Sequence, residues 1–193
     1  MKILLLCDKL FYCAHIRQDD SVDIKTFLIL RENCQSLAQY LKYEALIDES
    51  ANKMKTYLVR DKYSNEIAAY FSLKAGLISI ENSDEERDEF FDTLPGFELA
   101  NFAVNDSYIC KHPHSKGLGF VVFTDFISPI VEMASNLIGA KILYVFALPY
   151  DTLLTHYRQK YGFTRLDKEQ EDKLHKRIKN DYDQTCIFMY MRI

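Results

Sequence analysis

Two glycines one residue apart, Gly117 and Gly119, stand between a strand-like run and a long helical run. Glycine lets backbone approach an anion closely, and the free N–H groups of a helix's first turn carry a partial positive charge. A pyrophosphate therefore fits the loop His114-Ser115-Lys116-Gly117-Leu118-Gly119 without a full set of basic side chains. The spacing is not a dinucleotide fingerprint, which needs Gly-x-Gly-x-x-Gly, nor a Walker loop, which ends in Gly-Lys-Ser/Thr. On its own, Gly-x-Gly also serves helix-capping turns, so the loop reads as a generic anion site. Just upstream, Cys110-Lys111-His112-Pro113-His114 contains residue types that ligate zinc. They share one short loop with no second cluster nearby in sequence. A phosphate-side loop is the expectation there, and no metal.

The elements that must position this loop follow from periodicity and punctuation. Strands are expected over 24–30, 55–60, 66–73, 97–104, 142–148 and 185–192. The turn Asp61-Lys62-Tyr63-Ser64-Asn65 separates the second strand from the third, and Pro95-Gly96 precedes the fourth. An amphipathic helix over 36–47 carries Leu37, Tyr40, Leu41 and Ala45 on one side. From Gly117 a long helix repeats Leu118, Val121, Val122, Phe126, Ile130, Met133 and Leu137, with Pro129 as a kink and Gly139 as its stop. A second helix, 152–161, ends at Gly162. The order strand, glycine loop, helix, strand, helix, strand is a mixed α/β layout.

Composition narrows the functional classes. The 193 residues carry a net charge of −4, so the whole chain exerts no electrostatic pull toward nucleic acid or anionic membrane. With no linker or repeat, residues 1–193 read as a single domain, of which 1–54 is the hardest part to parse. Seven acids crowd residues 81–92, read as a solvated loop or short helix, or else as a rim for a cationic substrate. Residues 173–179 are basic, read as a solvated helix face or a contact for RNA or an acidic partner. The five cysteines are odd in number and scattered, as in a reducing compartment. The run before Cys7 is too short for a signal h-region of ~7–15 residues, and no apolar stretch approaches the ~20 needed to span a bilayer. A cytoplasmic protein with no membrane partner is expected.

Three separated pieces in order carry a resemblance. They are Phe97-Glu98-Leu99-Ala100-Asn101-Phe102-Ala103-Val104, then His114-x-x-Gly117-x-Gly119 opening a long helix, then Tyr157 in His156-Tyr157-Arg158-Gln159-Lys160-Tyr161-Gly162. Over residues 55–166 the chain resembles the GNAT superfamily of N-acetyltransferases, whose phosphate-loop motif is Arg/Gln-x-x-Gly-x-Gly/Ala. Here His114 takes the first position, which weakens a side-chain contact but spares the backbone cradle. The loop between Tyr108 and His114 is also longer than usual.

The resemblance implies an α/β (α+β) fold with a mixed, mostly antiparallel central sheet flanked by helices, splayed between the strands around 97–104 and 142–148. It implies acetyl-CoA as co-substrate. Phe102, Ala103 and Val104 would line the acetyl and pantetheine arm, and the N–H groups of Ser115, Lys116, Gly117, Leu118, Gly119 and Phe120 would hold the pyrophosphate beside His114. Lys111 or Lys116 would reach the 3′-phosphate. Tyr157 matches the tyrosine that protonates the departing thiolate, and Glu98 matches a strand glutamate that acts as general base.

The chemistry is consistent with those roles. An amine attacks a thioester only when unprotonated, so a base must take its proton. The oxyanion needs a preorganised donor, for which the Val104 N–H is the candidate. The implied reaction is direct transfer of acetyl to a primary amine of a small molecule, peptide or protein. One alternative is the toxin-like branch that acetylates aminoacyl-tRNA, which the net charge of −4 does not favour. Another is a non-catalytic CoA-binding or interaction protein. The aromatic-rich C-terminal strand also offers an edge for a homodimer.

Overall fold

A computed structural model describes residues 4–82, 90–177 and 185–193. The chain divides into two compact units, Met1–Lys74 with Leu99–Ile130, and Ala75–Glu98 with Val131–Ile193. Strands β4 (Ile67–Asn82) and β5 (Phe90–Val104) contribute one half to each.

In the first unit the strand order is β1-β2-β3-β4-β5, with β1 Leu4–Cys7, β2 Phe11–His15 and β3 Lys55–Asp61. The first three pairings are antiparallel. The β1–β2 hairpin falls in the part of the sequence that gave no strand signal. Its turn has no glycine: the Asp8 carboxylate instead accepts the N–H groups of Leu10 and Phe11, at 2.6 and 2.5 Å. The β3–β4 turn is the expected one, with Asn65 in the left-handed region at φ 61.

Two expectations in this unit fail for physical reasons. Residues 24–30 are not a strand: Asp23–Thr26 forms a 3-10 turn and the chain then runs extended without a ladder. Their amides are satisfied elsewhere, Leu28 N–H by the Asn105 side chain at 3.1 Å and Leu30 N–H by Asp106 at 2.7 Å. The helix expected over 36–47 is two, α1 Gln35–Tyr43 and α2 Ala45–Ser50, broken at Glu44. Its apolar side nevertheless packs as expected: Ala38, Leu41 and Ala45 join Leu58, Tyr70 and Ala103 in one core.

Beneath the same unit lies a charge. Arg60 on β3 is 1% exposed. Its guanidinium donates to Asp20 at 2.9 Å and to the Asn65 carbonyl at 2.7 Å, and pairs with Asp23 at 2.8 Å. Asp20, 2% exposed, also accepts the Arg17 N–H at 2.8 Å. This network fixes the 3-10 turns at Gln18–Ser21 and Asp23–Thr26 onto the sheet.

The second unit is ordered β4-β5-β6-β8-β7, with β6 Ile142–Ala147, β7 Thr164–Arg165 and β8 Ile187–Arg192. β6 pairs parallel with β5 and antiparallel with β8. Tyr144, Phe188 and Ile142 form its core with Ile78, Leu166 and Leu174, the last from α7 Lys168–Arg177. The acidic stretch is thus neither a loop nor a short helix at its ends, where residues 81–82 and 90–92 extend β4 and β5. Residues 83–89 lie outside the described part.

Leu118–Ile138 is one continuous helical run of 21 residues with mean hydropathy 1.5, long and apolar enough by composition to cross a membrane. Its first half is core, with Val122, Phe126 and Ile127 fully buried. α4 Leu118–Val122 passes through a π turn, Phe123–Ile127, into α5 Ser128–Ile138. Pro129 accounts for the π turn. Lacking an N–H and clashing with the preceding turn, it cannot continue an α ladder, and Ser128 N–H instead reaches back to Phe123.

Replacing Arg60 with alanine removes the buried guanidinium that pairs with Asp20 and Asp23 and leaves a buried carboxylate without its cation. Arg60→Ala is expected to lose about 3–5 kcal/mol of unfolding free energy, measured by urea denaturation. A loss below ~1 kcal/mol would mean that the acids are satisfied without it.

Candidate functional site

The end of β5 governs the first unit's candidate residues. Asn105 donates its amide to the Ile67 carbonyl at 2.7 Å, while its side-chain oxygen accepts Ser107 N–H at 3.1 Å. That second bond caps α3 Asp106–Lys111, where a loop was expected. Phe102 and Val104 are half-buried and Ala103 is buried, directly before this junction.

Beyond α3 the glycine loop is tied down at its base. Tyr108 is 3% exposed and donates its hydroxyl to Asp61 at 2.6 Å. The Ser115 side chain lies close enough to act on the same hydroxyl. Burial first, then the Asp61 carboxylate, push the Tyr108 pKa up, so it stays a phenol. His112 stacks on Tyr108 with ring centroids 4.2 Å apart and reaches Glu66 at 3.1 Å. Lys111 also bonds Glu66. The 3′-phosphate role considered for Lys111 is therefore in competition with an existing ion pair, whereas Lys116 and His114 are exposed.

Gly117 is the N-cap of α4 at φ 85, a conformation that favours glycine. Nothing lies within 4 Å of where its Cβ would sit, so the cradle is open. Three of the N–H groups expected to hold phosphate are already donated: Ser115 to His112 at 2.9 Å, Leu118 to Ser115 at 3.2 Å and Phe120 to Gly117 at 2.8 Å. The backbone donors that these turn bonds leave for an anion are Lys116, Gly117 and Gly119, the last in the helix's first turn. Leu118 is buried and anchors the loop to the core, while Phe120 is 44% exposed.

The second unit holds the other two candidates. Glu98 is 3% exposed. It lies opposite Tyr144 in the parallel β5–β6 ladder, whose register covers Gly96 to Glu98 and Ile142 to Tyr144. The Tyr144 hydroxyl donates to it; burial first, and then the Glu98 charge, raise the Tyr144 pKa. Gly76 makes this arrangement possible, because a Cβ there would sit 1.8 Å from the Tyr144 oxygen. Tyr157 opens a second π turn, Tyr157–Tyr161, after α6 Asp151–His156, and Gly162 ends it at φ 80. Tyr157 is 7% exposed and packs edge-on against Tyr161 and Phe163, at 5.5 and 5.3 Å. Burial, reinforced by Tyr161, raises its pKa. The phenol therefore keeps its proton at neutral pH.

Spacing carried no sign of Tyr144 or Asn105 as partners of the site, because each acts across strands. Among the described residues no group of three His, Cys, Asp or Glu gathers in metal-binding geometry. Within the basic stretch on α7, Lys173 pairs with Glu169 at 3.0 Å and His175 lies 3.9 Å from Glu171, while residues 178–179 lie outside the described part. A groove of about 740 Å³ beside it has mixed charge, lined by Arg165, Lys168, Glu171, Asp172, His175 and Lys176 among others.

No family model matches the chain. Solved structures resemble it along nearly their whole length. A tyrosine-to-phenylalanine mutant of KacT is 16% identical over 95% of each chain, with a TM-score of 0.67. AtaTR bound with acetyl-CoA is 16% identical, covering 96% of this chain and 94% of that one, with a TM-score of 0.62. AtaT complexed with acetyl-methionyl-tRNAfMet is 15% identical over 94% of each, with a TM-score of 0.64. The chain shares with these structures the mixed α/β, mostly antiparallel GNAT-type fold.

The Glu66 anchor has a pH signature. Hydrogen bonds from Lys111 first, and then His112, hold its pKa below the ordinary carboxylate value. A depressed carboxylate adds stability that is present above its unfolded pKa and lost as pH falls through the folded one. The thermal midpoint should therefore drop as pH is lowered from about 6 to about 3, and Glu66→Gln should flatten part of that drop. An unchanged profile would show the anchor to be inert.

Proposed function

We propose that this protein transfers the acetyl group of acetyl-CoA to a primary amine, and that the amine is the α-amino group of an aminoacyl-tRNA. What carries the cofactor half is the open, left-handed Gly117 cap that starts a 21-residue helix, reached from β5 through the Asn105 junction, α3 and the glycine loop. Support for the acceptor half is the likeness, over 94% of both chains, to a toxin solved with acetyl-methionyl-tRNAfMet.

In this proposal Lys116, Gly117 and Gly119 give their N–H groups to the pyrophosphate, with the exposed His114 and Lys116 side chains beside it. Ser115, Leu118 and Phe120 shape the loop through their own turn bonds. Phe102, Ala103 and Val104 receive the pantetheine arm, and the Val104 N–H meets the developing oxyanion. The co-substrate supplies an acetyl thioester, a carbonyl already activated toward an amine. As the N–C bond forms and the C–S bond breaks, Tyr157 gives its proton to the sulfur. Glu98, with one lone pair held by Tyr144, receives the amine's proton through water. Solvent then restores Tyr157 and Glu98 to their starting states. Positioning of amine against thioester provides most of the acceleration.

The experiment is thiol release from acetyl-CoA with charged tRNA, uncharged tRNA and free amines as acceptors. Release with charged tRNA alone, weakening as salt rises, supports the acceptor. Release with free amines only would replace it, and failure to bind acetyl-CoA would end the whole proposal. Tyr157→Phe should lower kcat by about 100-fold while leaving acetyl-CoA affinity within a factor of about two. Glu98→Gln should cost ~10²-fold near neutral pH and progressively less at higher pH, where more of the amine is already deprotonated. A pH-independent loss would make Glu98 a structural partner of Tyr144 instead.

A further inference from the structure

The buried Asp61 carboxylate is committed on both of its oxygens. One closes the β3–β4 turn by accepting the N–H groups of Tyr63 and Ser64, at 2.7 and 3.0 Å. The other accepts the Tyr108 hydroxyl at 2.6 Å. A carboxylate that holds a turn together is a fixed post, and α3 is set against it through Tyr108. The phenol ring is also held from its sides. Phe11 packs edge-on at 6.1 Å, and His112, itself bonded to Glu66, stacks at 4.2 Å. Turning the ring would break both contacts.

From this phenol the backbone is connected stepwise to the glycine loop. His112 N–H donates to the Tyr108 carbonyl at 2.9 Å, Ser115 N–H to the His112 carbonyl at 2.9 Å, and Leu118 N–H to the Ser115 carbonyl at 3.2 Å. Ser115 meets Tyr108 a second time through its side chain, which lies close enough to act on the phenolic oxygen. Tyr108 gives its own proton to Asp61, so its oxygen remains an acceptor and the Ser115 hydroxyl is the donor. Ser115 directly precedes Lys116 and Gly117, whose N–H groups the turn bonds leave over. Both are exposed, and the space where a Gly117 Cβ would sit is open. The order of the loop therefore comes from below.

We infer that Tyr108 is a positioning residue for the pyrophosphate of the co-substrate, acting through Ser115 to preset the Lys116–Gly119 backbone before the anion arrives. This rests on the acetyl-CoA reading given above. Tyr108 itself does not touch the ligand. An anion held by N–H groups must order the backbone that carries them, and a loop already ordered loses less freedom on binding. One linking hydrogen bond of ordinary net worth corresponds to roughly three- to tenfold in affinity.

Calorimetric titration of the full chain with CoA reads this directly. Ser115→Ala keeps the Asp61–Tyr108 bond, so its ligand-free thermal midpoint should match the wild type. Its Kd for CoA should rise about three- to tenfold, and Ser115→Thr, which keeps the hydroxyl, should restore it. Tyr108→Phe should raise Kd by a similar factor. In the double variant the two losses should not add, because both break the same link. Where thiol release is measured, KM for acetyl-CoA should rise with kcat unchanged. Additive losses, single variants that bind within about twofold of wild type, or a threonine variant that stays weak would overturn the positioning role alone. A wild type that does not bind CoA would sink the cofactor reading itself.

Discussion

The backbone at the end of β5 has to leave its ladder and still have its polar groups satisfied, and Asn105 is where this is achieved. Its own N–H bonds Ala68 at 2.9 Å, its amide bonds Ile67, and its side-chain oxygen serves both Leu28 and Ser107. One residue 4% exposed thereby ties together β4, the extended segment after the 3-10 turns, and the first turn of α3. Leaving such groups unpaired inside the protein would cost several times the ~1 kcal/mol net worth of one hydrogen bond. The direction in which the chain departs toward Tyr108 and Gly117 follows from that requirement.

From there the loop is held by chemistry different from the core's. Tyr108, Asp61, His112, Lys111 and Glu66 make a polar base under a segment whose upper side is backbone and exposed cations. Asp61 illustrates the balance. Burial pushes its pKa up, but the Tyr108 hydroxyl and the N–H groups of Ser64 and Tyr63 outweigh it and leave it lowered. A rigid base with an unencumbered left-handed glycine above it suits an anion bound through N–H groups, since little backbone order remains to be lost on binding. In the second unit the same economy recurs around Tyr157, where packing against Tyr161 and Phe163 fixes a phenol in its protonated form.

Much of this was legible because local pattern and tertiary role agree. Gly117 and Gly162, read as helix punctuation, have φ of 85 and 80; β6 was expected over 142–148 and runs Ile142–Ala147. Illegible features have their polar groups satisfied in ways that periodicity does not register, most of them at long range. Residues 24–30 look like a strand because Phe27 to Leu30 is an apolar run rich in strand formers, yet the Leu28 and Leu30 amides bond residues 77 and 76 positions away. The β1–β2 hairpin hides because an aspartate side chain does the work of a glycine turn. Arg60 reads as a strand end, and only Asp20, 40 positions earlier, reveals it as buried. The site divides the same way: the glycine loop was visible as a motif, while Tyr144 beside Glu98 appears only once strands are aligned.

Hydrogen–deuterium exchange with and without acetyl-CoA tests the central claim most directly, because it reads the backbone N–H groups themselves. Binding should slow exchange in peptides spanning 102–104 and 115–120, most of all at Lys116, Gly117 and Gly119, whose amides the turn bonds leave unused. Acetyl-CoA that binds while leaving those amides exchanging at their free rate would contradict it.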